Sequence, residues 1–134
     1  MKRSINLIFI LLSLHLSLGA QTMQWAKRVS TTIPSITAKD IVVDHNHNVI
    51  TTGVYVDSTI IEGIQLPDFS HFNFYIAKYN SSGTIIWVKG IGGSGWDDSY
   101  SIAIDQNDNI IVTGLFKNDT LDFGLGNYLY PPLY

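Results

Sequence analysis

Asp44-His45-Asn46-His47-Asn48-Val49-Ile50-Thr51-Thr52-Gly53 returns without gaps as Asp105-Gln106-Asn107-Asp108-Asn109-Ile110-Ile111-Val112-Thr113-Gly114. Six of the ten pairs are identical, and Val49/Ile110 is a conservative exchange. Upstream, Ile41 and Val43 match Ile102 and Ile104; downstream, Tyr55 meets Phe116 and Thr59 meets Thr120. Trp25-Ala26-Lys27 and Trp87-Val88-Lys89 form a second match at nearly the same offset. Two separate matches at a spacing of about 61 residues mark a repeat architecture.

Each unit reads as strands. Ile41–Asp44 and Val49–Tyr55 are β-branched and apolar around a polar turn of Asp, His and Asn, residues that tolerate left-handed backbone and cap their own turns. Phe74–Tyr79 and Thr84–Ile91 flank Asn80-Ser81-Ser82-Gly83, where the glycine supplies the positive φ of a bulged hairpin. Ser101–Asp105 and Asn109–Phe116 repeat the first hairpin. No helical period is present. Consecutive apolar residues, as in Ile41-Val42-Val43 and Ile110-Ile111-Val112, predict burial on both faces of a strand. Radially stacked small sheets provide such burial, and four strands make one propeller blade. The expected fold is therefore all-β: a partial β-propeller of four-stranded antiparallel blades, with about one complete blade and parts of two others.

Phe74-Tyr75-Ile76-Ala77-Lys78-Tyr79-Asn80-Ser81-Ser82-Gly83, Trp87-Val88-Lys89, Ile91-Gly92-Gly93-Ser94-Gly95-Trp96-Asp97-Asp98, Ser101-Ile102-Ala103-Ile104-Asp105 and Asn109-Ile110-Ile111-Val112-Thr113-Gly114 together resemble the SBBP repeat family. These are β-propeller repeats common in secreted bacterial proteins, notably of the Bacteroidetes. The resemblance covers roughly residues 24–124. It implies a propeller fold and no particular activity. The family often places Gly before the turn-closing Asn, where this chain has His47 and Asp108. One complete unit spans residues 41–91, and a second, over 102–134, is incomplete. The strand around Trp25 reads as the last strand of another blade. A propeller needs ~4–8 blades, so the chain is expected to be a fragment of a longer protein. Its missing blades are expected in cis rather than through oligomerisation.

The first 20 residues read as a secretory signal peptide. Lys2 and Arg3 precede an apolar run from Ile5 to Leu18, and Leu18-Gly19-Ala20 supplies small residues before a cut after Ala20. The run is interrupted by Asn6, Ser13, His15 and Ser17 and is shorter than the ~20 residues that span a bilayer. Cleavage would remove two of the eight basic residues and none of the eleven acids, leaving a net charge of −5 over residues 21–134. A mildly acidic chain without a basic stripe argues against nucleic acid as a partner, and no later segment is apolar enough to span a membrane. The chain has no cysteine, so an extracytoplasmic fold must rest on its core rather than on disulfides.

No catalytic, cofactor-binding or metal-ligating constellation can be assembled, and no cofactor is expected. The turns at residues 44–48 and 105–109 alternate oxygen ligands, but an EF-hand would need Gly at the sixth place and Glu at the twelfth. Val49 or Ile110 and Tyr55 or Phe116 stand there instead. His45 and His47 lack a third zinc ligand, and both read as exposed turn residues. Asp97 and Asp98 are neighbours whose carboxyls point apart on extended chain, unlike the facing pair of a glycosidase, and read as a solvated loop. Gly92-Gly93-Ser94-Gly95 opens no helix and reads as the loop between blades. Trp25 and Trp87 read as packing residues between blades. Trp96, in the glycine-rich loop, is the one residue singled out for ligand contact.

The resulting expectation is a non-catalytic, secreted or cell-surface binding or scaffolding module with a protein or polysaccharide ligand. The alternative is the propeller portion of an extracellular carbohydrate-active enzyme whose catalytic residues lie outside this chain. A third likeness, to quinone-cofactor propellers through Gly83-Thr84-Ile85-Ile86-Trp87, is opposed by their shorter blade spacing and by absent cofactor residues.

Overall fold

A computed structural model describes residues 23–27, 36–117 and 120–131. The expected signal peptide lies outside the described residues. Among the described residues ten strands follow one another: β1 (Thr37–Val43), β2 (Val49–Val56), β3 (Ile60–Ile61), β4 (Ile64–Gln65), β5 (Phe72–Tyr79), β6 (Ile85–Ile91), β7 (Asp98–Ile104), β8 (Ile110–Leu115), β9 (Leu121–Asp122) and β10 (Tyr128–Leu129). The described residues contain no helix. Strands β1-β2-β5-β6 form one antiparallel four-stranded sheet over residues 37–91, a complete blade. Strands β7 and β8 pair antiparallel as the start of the second unit.

One turn design closes all three long hairpins. In each, the first residue's side chain accepts from the backbone N–H groups two and four residues on, at 2.9 and 2.8 Å for Asp44, 3.1 and 2.8 Å for Asn80, and 2.8 and 2.9 Å for Asp105. The fourth residue takes the left-handed conformation: φ is 61° at His47, 81° at Gly83 and 60° at Asp108. Glycine adopts that region without steric cost. His47 and Asp108 occupy the region with an ordinary side chain, at the steric cost expected outside glycine.

The bulges repeat as well. Pairing shifts between Ala38 and Asp40 in β1, and between Ser99 and Ser101 in β7. Each bulge brings a carbonyl onto a glycine of the next strand. A Cβ on Gly53 would lie 2.1 Å from the Thr37 carbonyl oxygen, and one on Gly114 would lie 2.1 Å from that of Asp98. The glycine ending each copy of the repeated stretch is thus dictated by backbone crowding.

Two apolar clusters hold the fold. Tyr55, Ile61, Leu66, Tyr75, Ala77 and Tyr79 are buried on one face of the blade, with the short β3–β4 hairpin contributing Ile61 to its cover. Phe74, Ile91 and Leu121 are buried between the blade and the second unit, flanked by Ile76, Val112, Phe116 and Phe123. Burial raises the Tyr75 hydroxyl to about 12, and it pushes Tyr55 higher still, aided by the charges of Asp68 and Asp97.

Two expectations are corrected. Residues 23–27 form no strand; Trp25 instead tilts against Tyr79, ring centroids 5.9 Å apart, and its indole N–H donates to the Ser81 carbonyl at 3.1 Å. Its ring also covers Gly83, where a Cβ would meet it at 2.8 Å. Two-sided burial holds in β2 and β5, where Val54, Tyr55, Phe74 and Tyr75 are all buried. It fails in β1 and β8, where Ile41, Val43 and Ile111 are exposed, because no described strand covers their outer faces. The β3–β4 and β9–β10 hairpins, too short to show a periodicity, were not expected.

Candidate functional site

The second unit stacks on the first with β7 crossing β1, β2 and β5. Polar contacts fix this arrangement. The Asp40 carboxylate accepts from Ser101 Oγ at 2.6 Å and from the Ile102 N–H at 2.9 Å. Those donors, with the N–H of Ile41, hold Asp40 below the ordinary carboxylate range. Lys39 Nζ reaches Asp98 at 3.1 Å. Asp108 Oδ1 lies 2.6 Å from His45 Nδ1 and accepts the His45 N–H at 3.2 Å, contacts that lower the Asp108 pKa as well.

At this junction the loop between β6 and β7 presents Trp96, which is 58% exposed. Its ring meets Phe72, the first residue of β5, edge-on with centroids 5.1 Å apart. On one side is a cleft of about 320 Å³ lined by His71, Ser94, Gly95, Trp96 and Lys117. On the other, a mainly apolar depression of about 200 Å³ is lined by Val54, Phe72, Trp96, Asp97, Asp98 and Leu115. Both units therefore contribute to the walls around one exposed indole.

The platform is built from beneath. Asp97 is buried; its N–H donates to the Phe72 carbonyl at 2.8 Å, and its carboxylate accepts the Gly93 N–H at 2.8 Å. This corrects the solvated-loop reading of Asp97, because the loop folds back to use that carboxylate as its own turn acceptor. The neighbouring Asp98 is only part-exposed and pairs with Lys39. Gly95 leaves room for the chain after β8: a Cβ there would stand 1.8 Å from the Lys117 carbonyl oxygen.

The preceding loop carries Ser70 and His71 at φ 63° and 58°. Two consecutive left-handed residues other than glycine persist only when their surroundings hold them. Asp68 accepts the Ser70 N–H at 3.0 Å, and the fully buried Asn73 donates through Nδ2 to the carbonyls of Ser70 and His71, both at 3.2 Å. Asn73 Oδ1 packs against Gly92 and has no hydrogen-bond partner among the described residues. Strain, a buried amide and an exposed indole meet at one end of the blade. Sequence reasoning singled out Trp96 but not this support, for which Asp68 two residues before Ser70 is the only local signal.

Other acidic groups are engaged elsewhere. Desolvation pushes the Asp44 pKa up, but Lys78 Nζ at 2.8 Å and the donors of Asn48 outweigh it and hold the carboxylate ionised well below the ordinary range. The Lys78 ammonium thus stands where a calcium ion would have been sought. Asp105 is lowered by the donors of Asn109 and Asn107. Among the described residues no group of three or more His, Asp or Glu side chains converges to hold a metal. His45, expected to be merely exposed, is a partner of Asp108.

No family model matches the chain, and no solved structure matches it. An uncharacterized WD repeat-containing protein of Acanthamoeba polyphaga mimivirus is 24% identical over 106 residues, covering 74% of this chain. The chain spans only 8% of that relative's length. The likeness agrees with the fold described above: an all-β, propeller-type repeat.

Proposed function

We propose that this chain is a non-catalytic repeat module of a secreted or cell-surface β-propeller protein of the SBBP type, which binds polysaccharide on the Trp96 platform. The observation that carries this reading is the exposed indole held at the junction of two stacked units by buried supports. A flat aromatic face beside polar groups suits the C–H face and hydroxyls of a sugar ring. The non-catalytic reading is supported by the carboxylates themselves. Asp40, Asp44, Asp105 and Asp108 serve turns and the contact between units rather than a shared cleft. Secretion is supported by the basic start, apolar run and small residues before Gln21.

Affinity electrophoresis through gels containing soluble polysaccharides, with a reducing-end assay on the same mixtures, tests the reading. Retardation that disappears in Trp96→Ala, without release of reducing ends, is the expected result. Hydrolysis that scales with protein concentration, or retardation unchanged in Trp96→Ala, overturns it. Expression with the native leader should yield an exported product starting at Gln21.

A further inference from the structure

The two units share a repeat but not its surroundings. On the face that looks into the space beside β8, Gly53 and Tyr55 of the first unit are buried, whereas their counterparts Gly114 and Phe116 are exposed and part-exposed. β2 is paired on both edges, by β1 and β5, while β8 is paired only by β7 among the described residues. Along the unpaired edge runs an apolar groove of about 470 Å³, walled by Ile110, Val112, Gly114 and Phe116 on one side and by Phe74 and Ile76 on the other.

We propose that the β8 edge and this groove receive an extended strand from a further repeat unit, with the residue pattern of β5. The proposal rests on the propeller-repeat reading and is independent of the Trp96 platform. The first unit supplies the register, with Val49 opposite Tyr79, Thr51 opposite Ala77 and Gly53 opposite Tyr75. Carried one repeat on, the incoming strand places an aromatic residue opposite Ile110, a small one opposite Val112 and a second aromatic opposite Gly114. The last pairing is steric: in the first unit Tyr75 lies over Gly53, within 2.9 Å of where a Cβ would be, and Gly114 lines the groove at the equivalent point.

Charge selects the same partner. Asp44 and Asp105 accept the same three turn donors, and Asp44 additionally holds Lys78 of β5 at 2.8 Å. The side chain of Asp44 is fully buried, whereas Asp105 is part-exposed. A strand in the β5 register brings its lysine onto Asp105, as Lys78 is brought onto Asp44. The groove thus fits an extended segment with aromatic, small, lysine and aromatic residues at the spacing of Tyr75, Ala77, Lys78 and Tyr79. Main-chain hydrogen bonds supply affinity in such strand addition and alternate side chains supply specificity.

The test adds a synthetic peptide of residues 72–91, the chain's own β5–β6 hairpin, to the intact protein and follows amide hydrogen exchange. Binding with new protection confined to Ile110–Leu115 is expected. Replacing the lysine in the peptide (Lys78→Ala) should weaken binding about 5-fold, as should Asp105→Ala in the protein, the upper range for a partly exposed ion pair. Val112→Pro should abolish binding, and Asp105→Ala covers the case in which the proline variant does not fold. Lack of binding, protection at β1 or β6 instead, equal affinity for the lysine-free peptide, or self-association of the chain through β8 overturns the proposal. A protein that takes the peptide yet ignores every polysaccharide contradicts only the ligand reading.

Discussion

Gly92→Ala should be among the costliest small substitutions in this protein. Gly92 is buried at the exit of β6 and bridges to Asp122, whose N–H donates to the Gly92 carbonyl at 2.8 Å. A methyl group there would stand 1.9 Å from Asn73 Oδ1 and 2.6 Å from its Cγ. Asn73 cannot retreat freely, because it is fully buried and its Nδ2 anchors the carbonyls of Ser70 and His71. Overpacking of this kind costs about 1–3 kcal/mol, and two weakened hydrogen bonds add about 1–2 kcal/mol. A total of about 2–5 kcal/mol lowers the midpoint of a domain of this size by roughly 8–20 °C. Thermal unfolding of Gly92→Ala, Asn73→Ala and the double variant measures it by circular dichroism. If the clash is the cause, the double variant loses less than the sum of the singles, with a coupling above ~0.5 kcal/mol. A Gly92→Ala midpoint within about 1 °C of the parent, or strict additivity, would rule out the clash with Asn73.

Three further outcomes follow from the same geometry. Gly53→Ala and Gly114→Ala each drive a Cβ to 2.1 Å from a bulge carbonyl, so both should lower the unfolding midpoint; Gly53→Ala should do more, since it also meets Tyr75, and the reverse ranking would count against the packing described. Tyr55 and Tyr75 are raised by burial, so their stabilising neutral forms are fully present below the ordinary value of 10 and lost as pH climbs toward the folded values. Tyrosinate absorbance should therefore show, of seven tyrosines, at least two that titrate well above the ordinary value of 10. Asp40 and Asp108 are lowered from 3.8, so their contribution is present above that value and drains away as pH falls through the folded one. The acid loss of thermal stability should be smaller in Asp40→Asn than in the parent, and an unchanged acid limb would speak against the Asp40 contact.

The blade was legible because its signals are local. The Asp44 and Asp105 turns and Gly83 need only nearest neighbours to declare a hairpin, and β2, β5 and β6 follow from their flanking apolar runs. What the sequence hid depends on distant partners. The polar latch of Asp40 onto Ser101 and Ile102 joins residues that look unremarkable singly. Asp97 looked like a solvated acid because nothing local shows that the loop closes over it. Ile41 and Ile111 looked buried on both sides because their residue type records the environment of a repeat, whereas exposure depends on which neighbouring strands are present. Trp96 could be singled out from its glycine-rich setting, but the buried Asn73 and the strained Ser70-His71 turn beneath it could not.

The face-to-face stacking of two repeat units is tested most directly at the Asp40–Ile102 hydrogen bond, by following the Ile102 amide in ¹⁵N–¹H correlation spectra through an acid titration. This resonance should move with an apparent pKa below 3.8, and Asp40→Asn should remove the transition. An Ile102 amide that ignores both the titration and the substitution would contradict the stacking.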